Sequence, residues 1–433
     1  MVDTHEEEHL NTLLVGHKEL AHGPDWLRAL RQTAADIFQG TDLPTPAWEK
    51  WKYTNLRALK NTLWRNQTQS VMMDVNEIPK TLLSEDVYRV VFVNGQYKKS
   101  LSDHIPNLHC VSLKEAMVNS PDLYQEYIVQ VGELAEKPLM ALNTAFIDDG
   151  FILHALEGQK MDKPIEVQFY NNGKDQEAMI CHPRSLIIME KGAEAILVER
   201  HVGQGAYFAN HVMHVALKDR ASLKHYRLQD ESTDAFNIEH LTVQISEKSY
   251  YEMFSCVTGA SLSRLDIHGE LIGRENLCNI NGIYVVEGDQ HTDHTVEVDH
   301  FEPNCKSVQN FRGVIDDQAR AVFQGKIQVH RHAQKSDGRQ LNHALLLSEK
   351  AEVNAKPELE IYADDVKCSH GATTGQLDDQ VLFYLRSRGI PLKQAKALLV
   401  KSFVNQAIDE ISYEPLRSVI AQHIENSLEK AHE

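Results

Sequence analysis

The chain has few of the features that mark secreted, disulfide-bonded or membrane proteins. Its cysteines are few and widely spaced, with no C-x-x-C pair: Cys110, Cys181, Cys256, Cys278, Cys305 and Cys368. This spacing predicts neither a disulfide framework nor a self-contained zinc site. The N-terminus, MVDTHEEEHL, is acidic where a secretory signal is basic, and no apolar run approaches the length that a bilayer requires. We therefore expect a cytoplasmic protein.

Basic charge and nucleotide-binding motifs are also scarce. Lys and Arg total 44 against 62 Asp and Glu, which gives a formal net charge of -18. A surface of this sign repels phosphate backbones and anionic lipids, so we expect neither nucleic acid nor membrane as a partner. The sequence contains no G-x-x-x-x-G-K-[ST] phosphate loop, no G-x-S-x-G motif and no dinucleotide fingerprint. If nucleotide hydrolysis drives the system, another chain performs it.

The pattern of apolar residues divides the chain into three regions. Residues 1–160 read as a helical and mixed region, in which the segment PAWEKWKYTNL interrupts the helical spacing. Residues 161–375 contain short strand candidates such as IEVQFY, AEAILVERH and NINGIYVV, with no convincing long helix. Residues 376–433 read as helices, because Asp378 suits a helix N-cap, Gly389 a helix end and Pro391 a first helical turn.

A weak repeat runs through the central region. Small or polar residues recur before strand candidates at Ala193, Ala221, Ser249 and Asn276, at spacings of 28, 28 and 27 residues. This period is typical of a solenoid in which each coil buries its inner face against the next. The repeat favours a parallel β-helix, although unrelated strands in a sandwich or barrel remain an alternative.

The second C-terminal helix is predicted to have a strongly apolar face. Ala395, Leu399, Phe403 and Ala407 lie four residues apart. A helix of this kind caps the solenoid, offers a surface to another protein, or packs on the β unit, and the pattern does not choose among these.

The segment DDVKCSHGAT places a cysteine and a histidine two positions apart. In a strand, Cys368 and His370 would project from the same face because side chains alternate. A thiolate and an imidazole are suitable ligands for iron, zinc or an iron-sulfur cluster. Two ligands do not complete a site, so the others must come from elsewhere. The alternative is that Cys368 packs as a small buried residue and His370 forms a hydrogen bond at a turn.

Other histidines concentrate just upstream, at His291, His294, His300, His330 and His332. In the segment VHRH the alternation of a strand would place His330 and His332 on one face. These histidines could converge in a free-standing, His-rich metalloenzyme, or form polar rows on the outside of the strands. A carbohydrate-active β-helix is a further alternative, although no aromatic platform accompanies the carboxylates of Asp316 and Asp317.

The sequence KPELEIYADDVKCSHGATTGQLDDQVLFYLRSRGI, residues 356–390, is similar to the SufB/SufD family of iron-sulfur cluster assembly proteins. The similarity extends upstream through FRGVIDDQARAVFQGKIQVHRHAQKSDGRQLNHALLLSEKAEV, and PAWEKWKYTNL also resembles the family. The segment DDVKCSHGAT resembles the SufD branch of this family. Ala351 stands near the position where a SufB-type subunit is expected to carry its functional cysteine, which also favours that branch.

This resemblance implies a right-handed parallel β-helix flanked by N-terminal and C-terminal helical regions. It implies a non-catalytic scaffold subunit that pairs with SufB through the β-helices, while the ATPase SufC docks on the C-terminal helices. A nascent iron-sulfur cluster would be bound transiently at the interface with SufB, and no nucleotide would be bound by this chain. The family's site matches His370 and the accompanying Cys368, and a homodimer of the isolated chain is a further expectation.

Overall fold

A computed structural model of the chain describes residues 13–20, 22–66, 77–83, 86–108, 111–129, 134–173 and 178–430. Cys110 lies outside these residues. The α-helices of the described part are numbered in chain order. They are α1 Asp25–Thr41, α2 Arg57–Lys60, α3 Leu113–Asn119, α4 Pro121–Ile128, α5 Pro138–Ala145, α6 Asp379–Ser387, α7 Leu392–Ile408 and α8 Glu414–Lys430. Short 3-10 helices span His17–Glu19, Glu49–Trp51 and Lys99–Leu101.

The ends of α6 agree with the prediction from sequence. The Asp378 carboxylate accepts hydrogen bonds from the backbone N–H groups of Gln380 (2.8 Å) and Val381 (3.3 Å), which have no partner within the first helical turn. Gly389 follows the helix with φ of 87°, a left-handed conformation that glycine adopts without steric cost. Among the described helices, none has both the length and the apolar content needed to cross a bilayer.

The strands, also numbered in chain order, form two sheets. Sheet A contains β1 Arg65–Asn66, β4 Ile152–Ala155, β6 Met179–Cys181, β7 Arg184–Met189, β9 Tyr207–Leu217, β11 Phe236–Ile245, β13 Leu262–Leu271, β15 His291–His300, β17 Arg320–Val329 and β19 Glu352–Ile361. Sheet B contains β2 Tyr88–Val93, β3 Gln96–Tyr97, β5 Ile165–Gly173, β8 Glu194–Gly205, β10 Ser222–Asp230, β12 Tyr250–Val257, β14 Leu277–Val286, β16 Lys306–Ile315, β18 Asp337–Leu346 and β20 Lys367–Gly375.

From β8 onward the chain alternates between the two sheets, and each strand pairs in parallel with the strand one coil later. Ser222 of β10 is level with Tyr250 of β12, and Tyr250 is level with Leu277 of β14. The result is a parallel β-helix of about seven coils. The predicted β-helix is therefore confirmed, and the sandwich or barrel alternative is wrong.

The repeat of small residues marks one corner of each coil. Its members are almost completely buried: Ala193, Ala221, Ser249 and Asn276. The N–H that follows each one donates to the corner carbonyl one coil earlier, as from Ser222 to Ala193 (2.8 Å). The residue before the corner has positive φ, as in Arg220 (58°) and Lys248 (56°). The chain turns sharply into the next strand, so only a compact side chain fits inside this corner.

The interior of the coils is mainly apolar, but it also contains polar and charged side chains. Ile267, Val298 and Phe323 belong to the main apolar core between the sheets. In the same interior, Arg227 Nε donates to Glu239 Oε2 at 2.7 Å, and both side chains are fully buried. The attraction between the two charges offsets part of the free energy that their desolvation costs.

The C-terminal helices pack on the outer face of sheet B. Val400, Val404 and Ala407 of α7 belong to one apolar cluster with Phe254 and Ile283 of the sheet. This arrangement corresponds to packing on the β unit, one of the three alternatives that the sequence left open. The helices therefore lie along the side of the β-helix.

The N-terminal segment PAWEKWKYTNL lies across the outer face of sheet A. The Arg264 guanidinium stacks over the Trp51 ring at 4.0 Å and forms a buried ion pair with Asp293, to which the Thr54 hydroxyl also donates. Towards the end of the solenoid, Glu49 forms an ion pair with Lys356 of β19 (2.5 Å). Gln324 Nε2 of β17 donates to the Lys50 carbonyl oxygen at 3.1 Å, so the segment contacts four successive coils.

Candidate functional site

Cys368 and His370 lie on β20, the last strand of sheet B. In the described part of the chain β20 pairs with β18 on one side, and no strand pairs with its other edge. The same holds for β19, which pairs with β17 alone. Two long strands therefore present unpaired backbone N–H and C=O groups, which other chains can use for pairing.

The two candidate side chains occupy inward-facing positions of the last coil. Cys368 is level with Gly338, and His370 is level with Gln340, whose side chain is completely buried inside the coil before. The structure therefore brings the thiol and the imidazole to one face, as the alternation along the strand predicts. No further coil follows among the described residues, so this inward face opens to the outside.

The two side chains differ in exposure. His370 is exposed, whereas Cys368 is half-buried and packs in an apolar cluster with Ile327, Leu359 and Val366. Burial raises the pKa of the Cys368 thiol, a backbone hydrogen bond from Gly338 lowers it, and the negative charge of Asp337 raises it. Binding of a metal by this sulfur must therefore displace a proton.

The β19 side of the open end of the solenoid is apolar. The residues of β19 that are level with core positions of β17 are Val353, Ala355, Pro357, Leu359 and Ile361. Ile361 is 41% exposed and the following Tyr362 is 60% exposed. Uncovered apolar surface beside unpaired strands is typical of a protein interface rather than of a finished solenoid end.

The structure does not bring together the upstream histidines. His294 lies inside the solenoid between the rings of Tyr284 (5.3 Å) and Phe311 (5.2 Å). His300 Nε2 is hydrogen-bonded to Ser307 Oγ at 2.8 Å, also inside, whereas His291 Nε2 meets Thr54 Oγ1 at 2.9 Å on the outer face. Within the described ranges no group of three His, Cys, Asp or Glu could hold a metal ion. The alternative of a free-standing, His-rich metal site is therefore wrong for the described residues.

The prediction that His330 and His332 of the segment VHRH share one face of a strand is wrong. The strand β17 ends at Val329, and His330 and His332 lie in the turn that follows. Strand alternation therefore does not apply to them. Instead, Asp299 bridges two histidines from neighbouring coils, His268 (Nε2 to Oδ2, 2.7 Å) and His330 (Nε2 to Oδ1, 3.2 Å). No sequence pattern indicates this contact, since each histidine is separated from Asp299 by 31 residues.

The C-terminal helices carry a second exposed apolar surface. None of the residues of α6 is buried, and Phe383 and Tyr384 are 75% and 55% exposed. Between α7 and α8 lies a groove of about 260 Å³ lined by Leu398 and Leu428, with Lys401 and Glu425 at its side. Apolar surface of this kind is typical of helix-mediated docking.

Comparison with known proteins assigns the family. The profile described as "SUF system FeS cluster assembly, SufBD core domain" matches residues 169–403, and "SufBD protein N-terminal region" matches residues 7–167. The chain belongs to the SufBD family. The SufBD family acts in iron-sulfur cluster assembly, so the resemblance of the CSHGAT segment is confirmed at the level of the whole chain.

Several SufBD relatives match over most of their length. The iron-sulfur cluster assembly protein SufD of Escherichia coli is 30% identical over 390 residues, which are 89% of each chain. A SufBD family protein of Synechocystis is 30% identical, with 90% of this chain and 89% of the relative covered. SufD of Bacillus subtilis is 26% identical, with 98% of both chains covered.

Proposed function

We propose that this chain is a SufD-like, non-catalytic subunit of a SUF scaffold that builds and releases a nascent iron-sulfur cluster. In this proposal it pairs with SufB through the open end of the β-helix, and the ATPase SufC docks on residues 376–433. The growing cluster is the cargo of the interface, held by His370 and Cys368 together with ligands from the partner. The chain itself binds no nucleotide, and its isolated form pairs as a homodimer.

The observation that carries this proposal is the exposed position of His370 on an unpaired edge strand. An imidazole sealed inside its own domain could not share a cluster with a second subunit. Iron-sulfur clusters are normally held by four protein ligands, most often cysteine thiolates, and this chain supplies only two. A partner that covers the edge would supply the missing ligands and would exclude water from the site.

Pairing with another β-helix is supported by the composition of the open end. The apolar row of β19 beside Cys368 would be buried by a further coil, and the free N–H and C=O groups of β19 and β20 would gain partners. A SufB subunit with the same kind of solenoid offers a matching surface. The surface that is left uncovered in the isolated chain would then be buried in the complex and stabilise it.

Docking of an ATPase is supported by the C-terminal helices and by the absence of a phosphate loop in the sequence. The exposed Phe383 and Tyr384 of α6 would be buried by the partner. The helices α7 and α8 pack directly on sheet B, so a movement of the docked ATPase would reach the sheet whose last strand, β20, carries His370. ATP-driven closure of SufC would thereby bias the interface between a closed and an open arrangement.

The chemistry assigned to this chain is limited to binding and proton release. His370 coordinates iron through an unprotonated nitrogen, and Cys368 loses its proton when its sulfur binds. A site divided between two subunits loses half of its ligands when the halves separate. Cluster release follows from this separation without any covalent step in the chain.

The deciding experiment compares His370→Ala with Ser369→Ala in the complex co-purified with SufB and SufC under anaerobic conditions. Ser369 is exposed on the same strand and occupies the opposite face, so it is a matched control. We expect His370→Ala to lose most of the iron and acid-labile sulfide while the three subunits remain associated. Ser369→Ala retains the normal cluster content.

Normal cluster content in His370→Ala would remove this residue from the site. If Cys368→Ser also retained its cluster, the chain would act as a scaffold that only holds SufB and SufC in register. Loss of SufB from the His370→Ala complex would instead assign a structural role in pairing to this residue.

A further inference from the structure

A column of amide side chains leads through the interior of the last coils to His370. Gln309, Gln340 and His370 are level with one another on the successive strands β16, β18 and β20. Both glutamines are completely buried, and Gln340 Nε2 donates to Gln309 Oε1 at 2.8 Å. Neighbouring strands lie about 4.8 Å apart, so each member of the column is within reach of the next.

The opposite sheet leaves room for the Gln340 amide. Gly325 of β17 lies across the interior from it, and a methyl group at Gly325 would come within 1.8 Å of Gln340 Nε2 and 2.5 Å of its Cδ. An alanine at this position would require the Gln340 amide to move. The glycine therefore leaves space for this amide in the interior, directly before the last coil.

One atom of this amide lacks a partner. Gln340 Oε1 is buried and accepts no hydrogen bond from the residues that the structure describes. A buried carbonyl oxygen without a donor lowers the stability of the fold, so a donor that can reach it would be favoured there. The coil neighbour of Gln340 on the side of the open end is His370, whose ring carries an N–H.

We propose that Gln340 is a positioning residue for His370. Its Oε1 accepts the N–H of the His370 imidazole when the ring turns into the site, so that the other ring nitrogen is presented to iron. This inference rests on the proposed function of His370 and adds the residue that sets its tautomer. Metal-bound histidines generally donate their second nitrogen to such an acceptor, which fixes the ring and raises its basicity.

The test uses the full chain with SufB and SufC and replaces Gln340 by Met or Glu. Methionine keeps the length but removes the acceptor, whereas glutamate keeps an acceptor oxygen. Because loss of such a partner typically costs about 10–100-fold in metal affinity, we expect Gln340→Met to lose iron and sulfide at least about tenfold. Gln340→Glu restores cluster content towards that of the unmodified complex.

A second readout does not depend on the cluster. The full chain labelled with ¹⁵N-histidine and kept free of iron reports the tautomer of His370 by long-range ¹H–¹⁵N correlation, and His370→Ala identifies the resonance. We expect a single tautomer in the unmodified chain, a mixture in Gln340→Met and a single tautomer again in Gln340→Glu. A residue that only fills space would not produce this pattern.

Gln309→Glu is the matched control, because Gln309 is equally buried and belongs to the same column but is not adjacent to His370, and glutamate keeps an acceptor oxygen for Gln340 Nε2. We expect it to leave the tautomer of His370 unchanged. Gly325→Ala offers an independent route, since its methyl group displaces the Gln340 amide while Gln309, Gln340 and His370 all keep their side chains. It should reproduce the mixed tautomer of Gln340→Met.

Two results would overturn the inference. One is an unchanged His370 tautomer together with unchanged cluster content in Gln340→Met. The other is an equal loss of cluster in Gln340→Met and Gln340→Glu with the tautomer unchanged, which would mark Gln340 as a packing residue. If His370→Ala retains its cluster while Gln340→Met still mixes the tautomers, the proposed cluster site fails and the contact between Gln340 and His370 stands.

Discussion

Replacing His294 by leucine is expected to make the protein less sensitive to acid. His294 is completely buried, and both of its ring nitrogens lack partners in the described structure. Burial lowers its pKa from 6.5 to about 3, and the positive charge of Arg227 contributes in the same direction. In the folded protein the ring therefore stays neutral, whereas in the unfolded chain it binds a proton below pH 6.5.

The sign and size of the effect follow from this difference. Because folding lowers the pKa of His294, the folded state is favoured most above pH 6.5, where the ring is neutral in both states. This stability is lost as pH falls from 6.5 towards 3, because protonation then favours the unfolded chain. At pH 5.5 the unfolded chain gains about RT ln(1 + 10), or about 1.4 kcal/mol, from protonating this histidine. Leucine has a similar volume and does not titrate.

The measurement is the free energy of unfolding in urea, followed by circular dichroism at pH 7.5 and pH 5.5. Relative to the unmodified chain, His294→Leu is expected to gain about 1.4 kcal/mol on going to the lower pH. Other buried histidines titrate equally in both proteins, so they cancel in the difference. Val296→Ala, a neighbouring buried position that cannot titrate, should show the same cost at both pH values. An equal effect of His294→Leu at both pH values would refute the argument.

Two further predictions concern the site and the N-terminal segment. Cluster assembly by the complex is expected to fall between pH 8 and pH 6. The Cys368 thiol, whose pKa is raised by burial, must lose its proton to bind iron. Unchanged iron and sulfide content at pH 6 would argue against ligation by this sulfur. Arg264→Met is expected to lower the free energy of unfolding in urea by about 3–5 kcal/mol, because it leaves the Asp293 carboxylate buried without its cation. Arg274→Met, at an exposed position, is expected to change this free energy by less than about 1 kcal/mol.

The β-helix could be predicted because its corners repeat in the sequence. The small residues from Ala193 to Asn276 mark the points at which the chain must turn, and the structure uses them in this way. Several strands between these corners lack a clear strand pattern in the sequence. Inward positions of β10 and β16 carry Arg227 and Gln309, so the alternation of apolar and polar residues on which strand prediction depends is broken there.

The candidate site was predictable in part. The alternation along a strand correctly places Cys368 and His370 on one face, but it does not reveal that this strand is the last of its sheet. That property depends on which segments pair across some 30 residues of sequence, as between Gln340 and His370. The same limit explains His330, whose strand ends one residue earlier and whose partner Asp299 lies one coil away.

The corner geometry also determines how such a molecule changes length. Neighbouring coils are separated by about 4.8 Å, and the corner before each sheet B strand from β8 to β18 has its own left-handed residue and its own compact corner residue. Insertion of one complete coil would therefore move the final strand outward by one such step and leave every other turn intact. Insertion of a single residue within a strand would reverse the faces of all side chains up to the next corner, so relatives of different length are expected to differ by whole coils.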